Sequence, residues 1–187
     1  MKTQVQTLTT DAEGQISSKL TTPSSQLKLW SPENPKLYQV ELQLGEERLS
    51  DEVGFRTIET QGKQILLNGQ SIFLKGISIH EEKPNGGGRA NSTEDAHTLL
   101  SWAKELGCNY VRLAHYPHNE YAIREAERMG ILVWSEIPVY WTIAWTNPAT
   151  YQNAERQLDD MIARDQNRAN VIIWSIANET PHSPERD

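Results

Sequence analysis

The chain has 187 residues, 37% of them hydrophobic and six of them Trp, which supplies apolar material for one domain or for one and a half. Its 18 Lys and Arg residues against 25 Asp and Glu give a formal net charge of −7, which argues against a nucleic-acid partner because polyanion binders need a basic face. No apolar run reaches the roughly 18 residues of a membrane span, so we expect no membrane partner. The single Cys108 excludes an intrachain disulfide, and the cysteine count does not indicate a compartment.

Residues 1–58 show the pattern of short strands joined by turns. Residues 37–44 alternate apolar and mostly polar side chains, which predicts one half-buried strand, and residues 51–58 are a further candidate. Two prolines interrupt residues 31–35, just before the first of these strands. The three or four strands of this region make only part of a β-sandwich.

From about residue 62 the pattern changes to strands that alternate with helices. Asn68-Gly69 between two apolar runs predicts a tight hairpin turn, because this pair favours positive backbone angles. The later strands are predicted at residues 72–79, 109–114, 131–134 and 171–177. The helices between them are predicted to begin after the capping residues Ser92, Asn119 and Asn147. This alternation predicts a parallel sheet with right-handed crossovers. Because Gly86-Gly87-Gly88 lacks the spacing of a dinucleotide-binding turn, we favour a (β/α)8 barrel, of which about half fits this length.

Each predicted strand of the sheet ends in side chains able to do chemistry. These residues are His80 after the first strand, Arg112 and His115 at the second, Glu136 and Trp141 at the third, and Asn178 and Glu179 at the fourth. Because barrels place their chemistry at the carboxyl ends of the strands, we predict one polar pocket walled by aromatic rings. Residues 165–168 precede the fourth strand, at the opposite edge, where polar residues usually serve stability.

Structural roles compete with these functional ones. A strand that simply meets its polar loop also explains Glu179, and His side chains often bond to loop backbone. Arg112 suits a plain ion pair with Glu136 as well as a role in binding. Trp141 and Trp145 lie in a predicted loop, where an indole is available for stacking on a ring face.

Four segments resemble glycoside hydrolase family 2, the group of β-galactosidases, β-glucuronidases and β-mannosidases. Residues 109–117 resemble one family signature, and residues 165–179 resemble the signature that contains the acid/base residue. Residues 29–38 and 54–56 resemble the end of the immunoglobulin-like domain that precedes the barrel. The resemblance therefore covers essentially the whole chain.

The resemblance implies an α/β catalytic domain behind a β domain. Residues 1–58 would be the C-terminal strands of an immunoglobulin-like β-sandwich, and residues 59–187 would be the first half of a (β/α)8 TIM barrel. It implies a retaining glycosidase that acts on terminal non-reducing β-glycosides, glucuronide-like or galactoside-like. Glu179 would be the general acid/base, Asn178 would bond the sugar 2-hydroxyl, and Arg112 would orient the nucleophile.

The remaining site residues take supporting roles under the same resemblance. His80 and His115 would line the sugar site, Glu136 would organise the rim, and Trp141 would contact the carbohydrate substrate. The nucleophile, which retaining enzymes hold about 5–5.5 Å from the acid/base, comes from a later barrel strand and is expected outside this chain.

Three further expectations concern metal binding, self-association and an alternative function. Residues 137–140 lack the carboxylate with which magnesium-dependent β-galactosidases bind their metal, so we expect no metal and no cofactor. An open half-barrel exposes edge strands and apolar helix faces, which predicts self-association, so a homo-oligomer is an expected state. The alternative function is a non-catalytic carbohydrate-binding fragment, in which Glu179 is an ordinary polar contact.

Overall fold

A computed structural model of the protein describes residues 4–19, 21–182 and 184. Within these residues the chain forms two antiparallel sheets and one parallel sheet. The antiparallel strands are β1 (Leu37–Leu44) with β2 (Glu47–Gly54), and then β3 (Ile58–Gln61), β4 (Gln64–Leu67) and β5 (Gln70–Ile72). The parallel strands, in spatial order, are β6 (Gly76–Ile79), β7 (Tyr110–Leu113), β8 (Leu132–Glu136) and β9 (Val171–Ser175). The helices between them are α1 (Thr93–Glu105), α2 (Glu120–Met129) and α3 (Pro148–Asp165), and a short 3-10 helix covers Ser24–Gln26.

Local sequence explains where the helices begin. The side chain of Ser92 accepts a hydrogen bond from the Asp95 backbone N–H, and Asn119 and Asn147 cap α2 and α3 in the same way. All three predicted capping residues are confirmed. Parallel strands that follow each other in space and alternate with helices are the arrangement that successive units of a (β/α)8 barrel produce.

The boundaries of two predicted strands differ from the structure. The strand predicted at residues 51–58 runs instead over β2 and stops at Gly54, where the backbone packs closely against Ala169 and Trp30. The run at residues 72–79 is divided between β5 and β6. The side chain of Asn109 accepts from the Lys75 backbone N–H at 2.8 Å and donates to the Phe73 carbonyl at 3.0 Å, which separates the two strands.

The main hydrophobic core lies between the parallel sheet and helices α1 and α2. Its buried members are Leu100, Ala103, Val111, Leu113, Ile123, Ala126, Ile131, Val133 and Val171. Cys108 packs against this cluster. A second cluster of Trp30, Leu67, Leu132 and Ala169 joins the antiparallel strands to the amino-terminal edge of the parallel sheet. No helix in the described ranges has both the length and the apolarity that crossing a membrane requires.

A buried ionic network reinforces this junction at the amino-terminal edge. Arg168 donates to Asp51 Oδ2 at 2.6 Å and to Glu127 Oε2 at 3.3 Å, and the Trp30 indole donates to the Glu127 carbonyl at 3.0 Å. Burial raises the pKa of the Glu127 carboxyl. Burial also acts to raise the pKa of Asp51, but hydrogen bonds from Arg124 and Arg168 outweigh it and hold that pKa below its usual value. Arg168 therefore lies at the edge opposite the predicted site, with structural contacts.

A cavity of about 280 Å³ lies beside this network. It is lined by Gln39, Ser50, Asp51, Glu52, Arg124 and Arg128. Arg124 is paired with Asp51 and Arg128 with Glu52, so the charges at the cavity wall are already matched within the chain. The cavity belongs to the contact between the β1–β2 hairpin and α2, and it is distant from the carboxyl ends of the parallel strands.

Candidate active site

The carboxyl ends of the parallel strands bring the predicted residues to one edge of the sheet. Glu136 is the last residue of β8, and Arg112 lies one residue before the end of β7. Asn178 follows β9 and pairs as an isolated parallel bridge with Tyr140, so the loops after β8 and β9 run side by side. Arg112, Glu136 and Asn178 are therefore neighbours in space although 66 residues separate the first from the last.

Glu136 forms the buried centre of the site. Its side chain is completely buried, and Oε2 accepts from Arg112 Nη2 at 2.7 Å and from Arg112 Nε at 3.2 Å. Its other oxygen, Oε1, lies 2.7 Å from Nδ1 of His115. A buried carboxylate is tolerated only when its charge and both oxygens are satisfied, and these contacts satisfy them. The ion pair between Arg112 and Glu136 is thus present.

The contact with Glu136 fixes the orientation of the His115 ring. A carboxylate only accepts hydrogen bonds, so Nδ1 of His115 carries the hydrogen and donates it to Glu136. In the neutral ring the acceptor is then Nε2. The 3.3 Å approach of Arg112 Nη2 to the same Nδ1 is a close contact between two donors. His115 can accordingly present an acceptor, or a proton when charged, to a bound molecule.

Arg112 also fixes the amide of Asn178. Arg112 Nη2 donates to Asn178 Oδ1 at 2.7 Å, so the amide nitrogen must point away from the guanidinium. That nitrogen lies 3.4 Å from Oε2 of Glu179. The order Glu136, Arg112, Asn178, Glu179 is therefore a continuous series of polar contacts from a buried carboxylate to an exposed one.

Glu179 lies at the exposed end of this series. Its Oε2 also accepts a hydrogen bond of 3.2 Å from the indole nitrogen of Trp141, which is 65% exposed. Glu179 and Trp141 both have left-handed backbone angles, with φ of 50° and 57°. This conformation is disfavoured for residues other than glycine, and residues that adopt it cluster at active sites and ligand-binding positions.

Aromatic rings form one wall along the same edge. His80 meets His115 edge-to-face with ring centroids 5.4 Å apart and lies 6.2 Å from Tyr116. His115 lies 6.2 Å from Tyr140, and Tyr140 meets Trp141 edge-to-face at 5.4 Å. The five rings form a continuous row, which agrees with the predicted aromatic wall. In the ranges 4–19, 21–182 and 184, no group of three His, Cys, Asp or Glu side chains is arranged to hold a metal ion.

Comparison with known proteins decides the family. Residues 58–186 match the family model described as "Glycosyl hydrolases family 2, TIM barrel domain", and residues 1–56 match the one described as "Glycosyl hydrolases family 2". The chain belongs to glycosyl hydrolase family 2. The resemblance and the fold class inferred from sequence are confirmed, with the start of a TIM barrel behind sandwich strands.

Relatives of this family 2 chain include enzymes of three named specificities. It is 32% identical over 172 residues to a β-glucuronidase of Paenibacillus borealis, covering 81% of this chain and 28% of that protein. It is 32% identical over 157 residues to a β-galactosidase of Thermoanaerobacterium thermosulfurigenes, covering 80% and 21%. A solved β-galacturonidase from Eisenbergiella tayi, bound to galacturonate, matches with 36% identity and a TM-score of 0.76, covering 84% and 29%. The chain thus spans less than a third of the length of these relatives.

Sequence reasoning assigned no role to some residues of this candidate site and misjudged one side chain. Tyr116 and Tyr140 were given no role, although each directly neighbours a predicted site residue, which was the available signal. Glu81, next to His80, is buried and accepts from Arg89 at 2.8 Å and 2.5 Å, which anchors the loop after β6. Trp145, predicted to be free for stacking, instead packs with Ile137, Val139 and Met161.

Proposed function

We propose that this chain is the acid/base-bearing part of a retaining glycosidase that hydrolyses terminal non-reducing β-glycosides. The observation that carries the proposal is the series of contacts from buried Glu136 through Arg112 and Asn178 to exposed Glu179. It delivers an ionisable carboxyl group and an amide donor together, beside a row of aromatic rings. The β-glucuronidase, β-galactosidase and β-galacturonidase relatives support a sugar of the uronide or galactoside class.

Glu179 is the proposed general acid/base. It protonates the oxygen of the leaving group while the glycosidic bond breaks, and it later removes a proton from the water that hydrolyses the glycosyl-enzyme. An exposed carboxyl at the rim suits this role, because it must reach the leaving group and then water. Trp141, next to it, contacts the substrate on the leaving-group side.

Asn178 and Arg112 are proposed to bind the reacting sugar and the nucleophile. The Asn178 amide nitrogen donates to the 2-hydroxyl of the sugar, and Arg112 fixes that amide by holding its oxygen. Arg112 Nη1 makes no hydrogen bond to any residue in the described part of the chain, and we assign it to the nucleophile. His80 and His115 line the sugar site, and Glu136 holds Arg112 and His115 in place.

The second carboxylate is proposed to come from a later part of a longer polypeptide. Glu136 is not available for that role, because Arg112 and His115 occupy both of its oxygens. We also propose the division into residues 1–58 of an immunoglobulin-like sandwich and residues 59–187 of the barrel, which is supported by the two family matches that meet near residue 57. We propose neither a metal nor a cofactor. The homo-oligomer stays a prediction, supported by edge strands β6 and β9 of the described sheet.

Leaving-group dependence in the full-length enzyme tests the role of Glu179. We expect Glu179→Gln to lower kcat/KM for methyl β-glycosides by about 10²–10⁴-fold, the usual contribution of general acid catalysis, because a poor leaving group needs a proton. Dinitrophenyl β-glycosides need none and should keep their kcat/KM. Glu105→Gln, an exposed carboxylate at the end of α1, is the matched control and should change neither. Equal losses on both substrates would contradict the acid/base assignment.

The competing function is carbohydrate binding without catalysis, which the complete row of aromatic rings in this chain favours. Calorimetry of the chain with glucuronate, galacturonate and galactose separates the two. A binding fragment should bind one of these sugars and should keep that affinity in Glu179→Ala. The glycosidase proposal expects weak binding without the rest of the site.

A further inference from the structure

We propose that Trp141 is a positioning residue for the Glu179 carboxyl group, and that its indole N–H decides which oxygen exchanges the proton. The inference rests on the proposed acid/base role of Glu179 and goes beyond the role of Trp141 as a contact for the substrate. Oε2 would be held by the indole, and Oε1 would be the oxygen that gives and takes the proton.

The hydrogen bonds at Glu179 are unequal between its two oxygens. Oε2 accepts from the Trp141 indole at 3.2 Å and lies 3.4 Å from the Asn178 amide nitrogen, whereas Oε1 accepts from no residue in the described part of the chain. Both groups at Oε2 are donors without a lone pair to offer, so they favour negative charge there and disfavour a proton there. The proton of the neutral acid is therefore carried by Oε1.

One oxygen, Oε1, then gives the proton in the first step of the reaction and takes a proton in the second. In the first step the O–H bond at Oε1 and the glycosidic C–O bond break, the proton bonds to the leaving oxygen, and the second carboxylate bonds to the anomeric carbon. In the second step water attacks that carbon, its proton bonds to Oε1, and the second carboxylate is released. Oε2 remains hydrogen-bonded to Trp141 throughout, so the carboxyl group does not need to rotate between the steps.

The backbone is arranged to bring these two side chains together. The backbone N–H of Trp141 donates to the backbone carbonyl of Asn178 at 3.3 Å, and the backbone N–H of Asn178 donates to the Val139 carbonyl at 2.8 Å. These two bonds hold the loops after β8 and β9 in register. Trp141 and Glu179 then both adopt the left-handed backbone conformation, at φ of 57° and 50°, and their side chains meet. Two disfavoured conformations on facing loops are explained by a need for this contact.

Trp145 provides a matched comparison in the same loop. Its indole N–H is buried and has no hydrogen-bond partner among the described residues, and its ring packs in a hydrophobic cluster. Trp141 is the reverse, with an exposed ring and a bonded N–H. Replacement of each Trp by Phe removes an indole N–H and keeps an aromatic ring, so only the first replacement removes a donor from Glu179.

Kinetics of the full-length enzyme test the proposal. We expect Trp141→Phe to lower kcat/KM for methyl β-glycosides about tenfold and to leave dinitrophenyl β-glycosides within about twofold, because only the poor leaving group needs a well-placed proton. Trp145→Phe should stay within about twofold on both. A loss in Trp141→Phe that is equal for both leaving groups, or larger for the dinitrophenyl glycosides, would overturn the proposal, since lost stacking on an aromatic leaving group would weaken the dinitrophenyl glycosides most.

Indole NMR on the chain itself tests the contact without catalysis. In ¹⁵N–¹H spectra, the Trp141 indole resonance, assigned through Trp141→Phe, should move as the carboxyl titrates in wild type and should stay fixed in Glu179→Gln. A Trp141 indole chemical shift that does not change with pH in the wild-type chain would overturn the positioning role of Trp141. If instead Glu179→Gln fails its leaving-group test, the proposed function falls while the indole result still reports the geometry, so the two failures are distinguishable.

Discussion

Replacement of Arg168 by Met tests whether the buried ionic network joins the β1–β2 hairpin to the base of the parallel sheet. Arg168 is 5% exposed and contacts Asp51, Glu127 and the Glu52 carbonyl. Methionine keeps much of the apolar stem and removes the charge. The variant therefore leaves the buried Glu127 carboxylate without its cation, while Asp51 retains its contact with Arg124.

The expected loss follows from how deeply each partner is buried. Removing one member of a buried ion pair costs about 3–5 kcal/mol, and we take the lower end, about 3 kcal/mol, because Glu127 keeps the Ala169 N–H and Asp51 is partly exposed. Arg128→Met is the matched control. Arg128 is 44% exposed, and its pairs with Glu52, which is 46% exposed, and with Glu125 at the longer distance of 3.5 Å contribute about 1 kcal/mol together. At about 2–4 °C per kcal/mol for a chain of this size, Arg168→Met should lower Tm by about 6–12 °C.

Urea unfolding followed by Trp fluorescence and far-UV circular dichroism measures this difference. The loss in free energy of unfolding caused by Arg168→Met should also be smaller at acid pH. Burial raises the pKa of the Glu127 carboxyl, so the folded state favours the protonated form. In the variant, the unpaired carboxylate destabilises the folded state at pH 7. That loss of stability disappears as pH falls through the raised pKa, because the carboxyl then becomes neutral. Losses that are equal within about 0.5 kcal/mol for Arg168→Met and Arg128→Met would refute the reasoning.

Two further predictions concern buried polar groups. Glu136→Gln should lower the free energy of unfolding by about 2–4 kcal/mol, because the neutral amide cannot accept from both Arg112 and His115; a urea titration that shows less than about 0.5 kcal/mol would contradict it. Burial lowers the pKa of His118 below its ordinary 6.5. As pH falls, the unfolded chain therefore binds a proton at His118 before the folded chain does. The free energy of unfolding that this difference contributes is fully present above pH 6.5 and is lost as pH falls toward the lower pKa of the folded state. His118→Gln, which keeps a donor for the Ala114 carbonyl, should flatten the Tm profile between pH 7 and 5, and an unchanged slope would exclude this cause.

Helix starts and turns were predictable because a few neighbouring residues decide them. Ser92 bonds a backbone N–H three residues away, and Asn68 and Gly69 adopt φ of 53° and 76° as their types favour. The end of β2 was not predictable in this way. There Arg56 donates to the carbonyls of Ala169 and Val171, at 3.0 Å and 2.8 Å, and so takes the chain away from the hairpin. A partner 113 residues away leaves no local signal.

The site was predictable at the level of strand ends and not at the level of side-chain contacts. Position at the carboxyl end of β8 identified Glu136, but its complete burial depends on how Arg112 and His115 turn toward it. The two Trp residues of the following loop show the same limit. Both are loop indoles four residues apart, yet one is exposed beside Glu179 and the other is half-buried against a hydrophobic cluster, since a loop has no periodicity that separates an inner from an outer face.

Strand β9 links the two edges of the sheet and separates their functions. Just before it, Arg168 and Asn170 are buried and bonded to Asp51 and to the Ile123 carbonyl. Just after it, Glu179 is exposed and has a disfavoured backbone angle. The contacts that anchor the strand and the contacts that orient Glu179 lie at opposite edges of the sheet and share no residue. Loss of the anchor should therefore reduce the folded population and leave the leaving-group dependence of the remaining folded enzyme unchanged, which is the reverse of what Trp141→Phe should do.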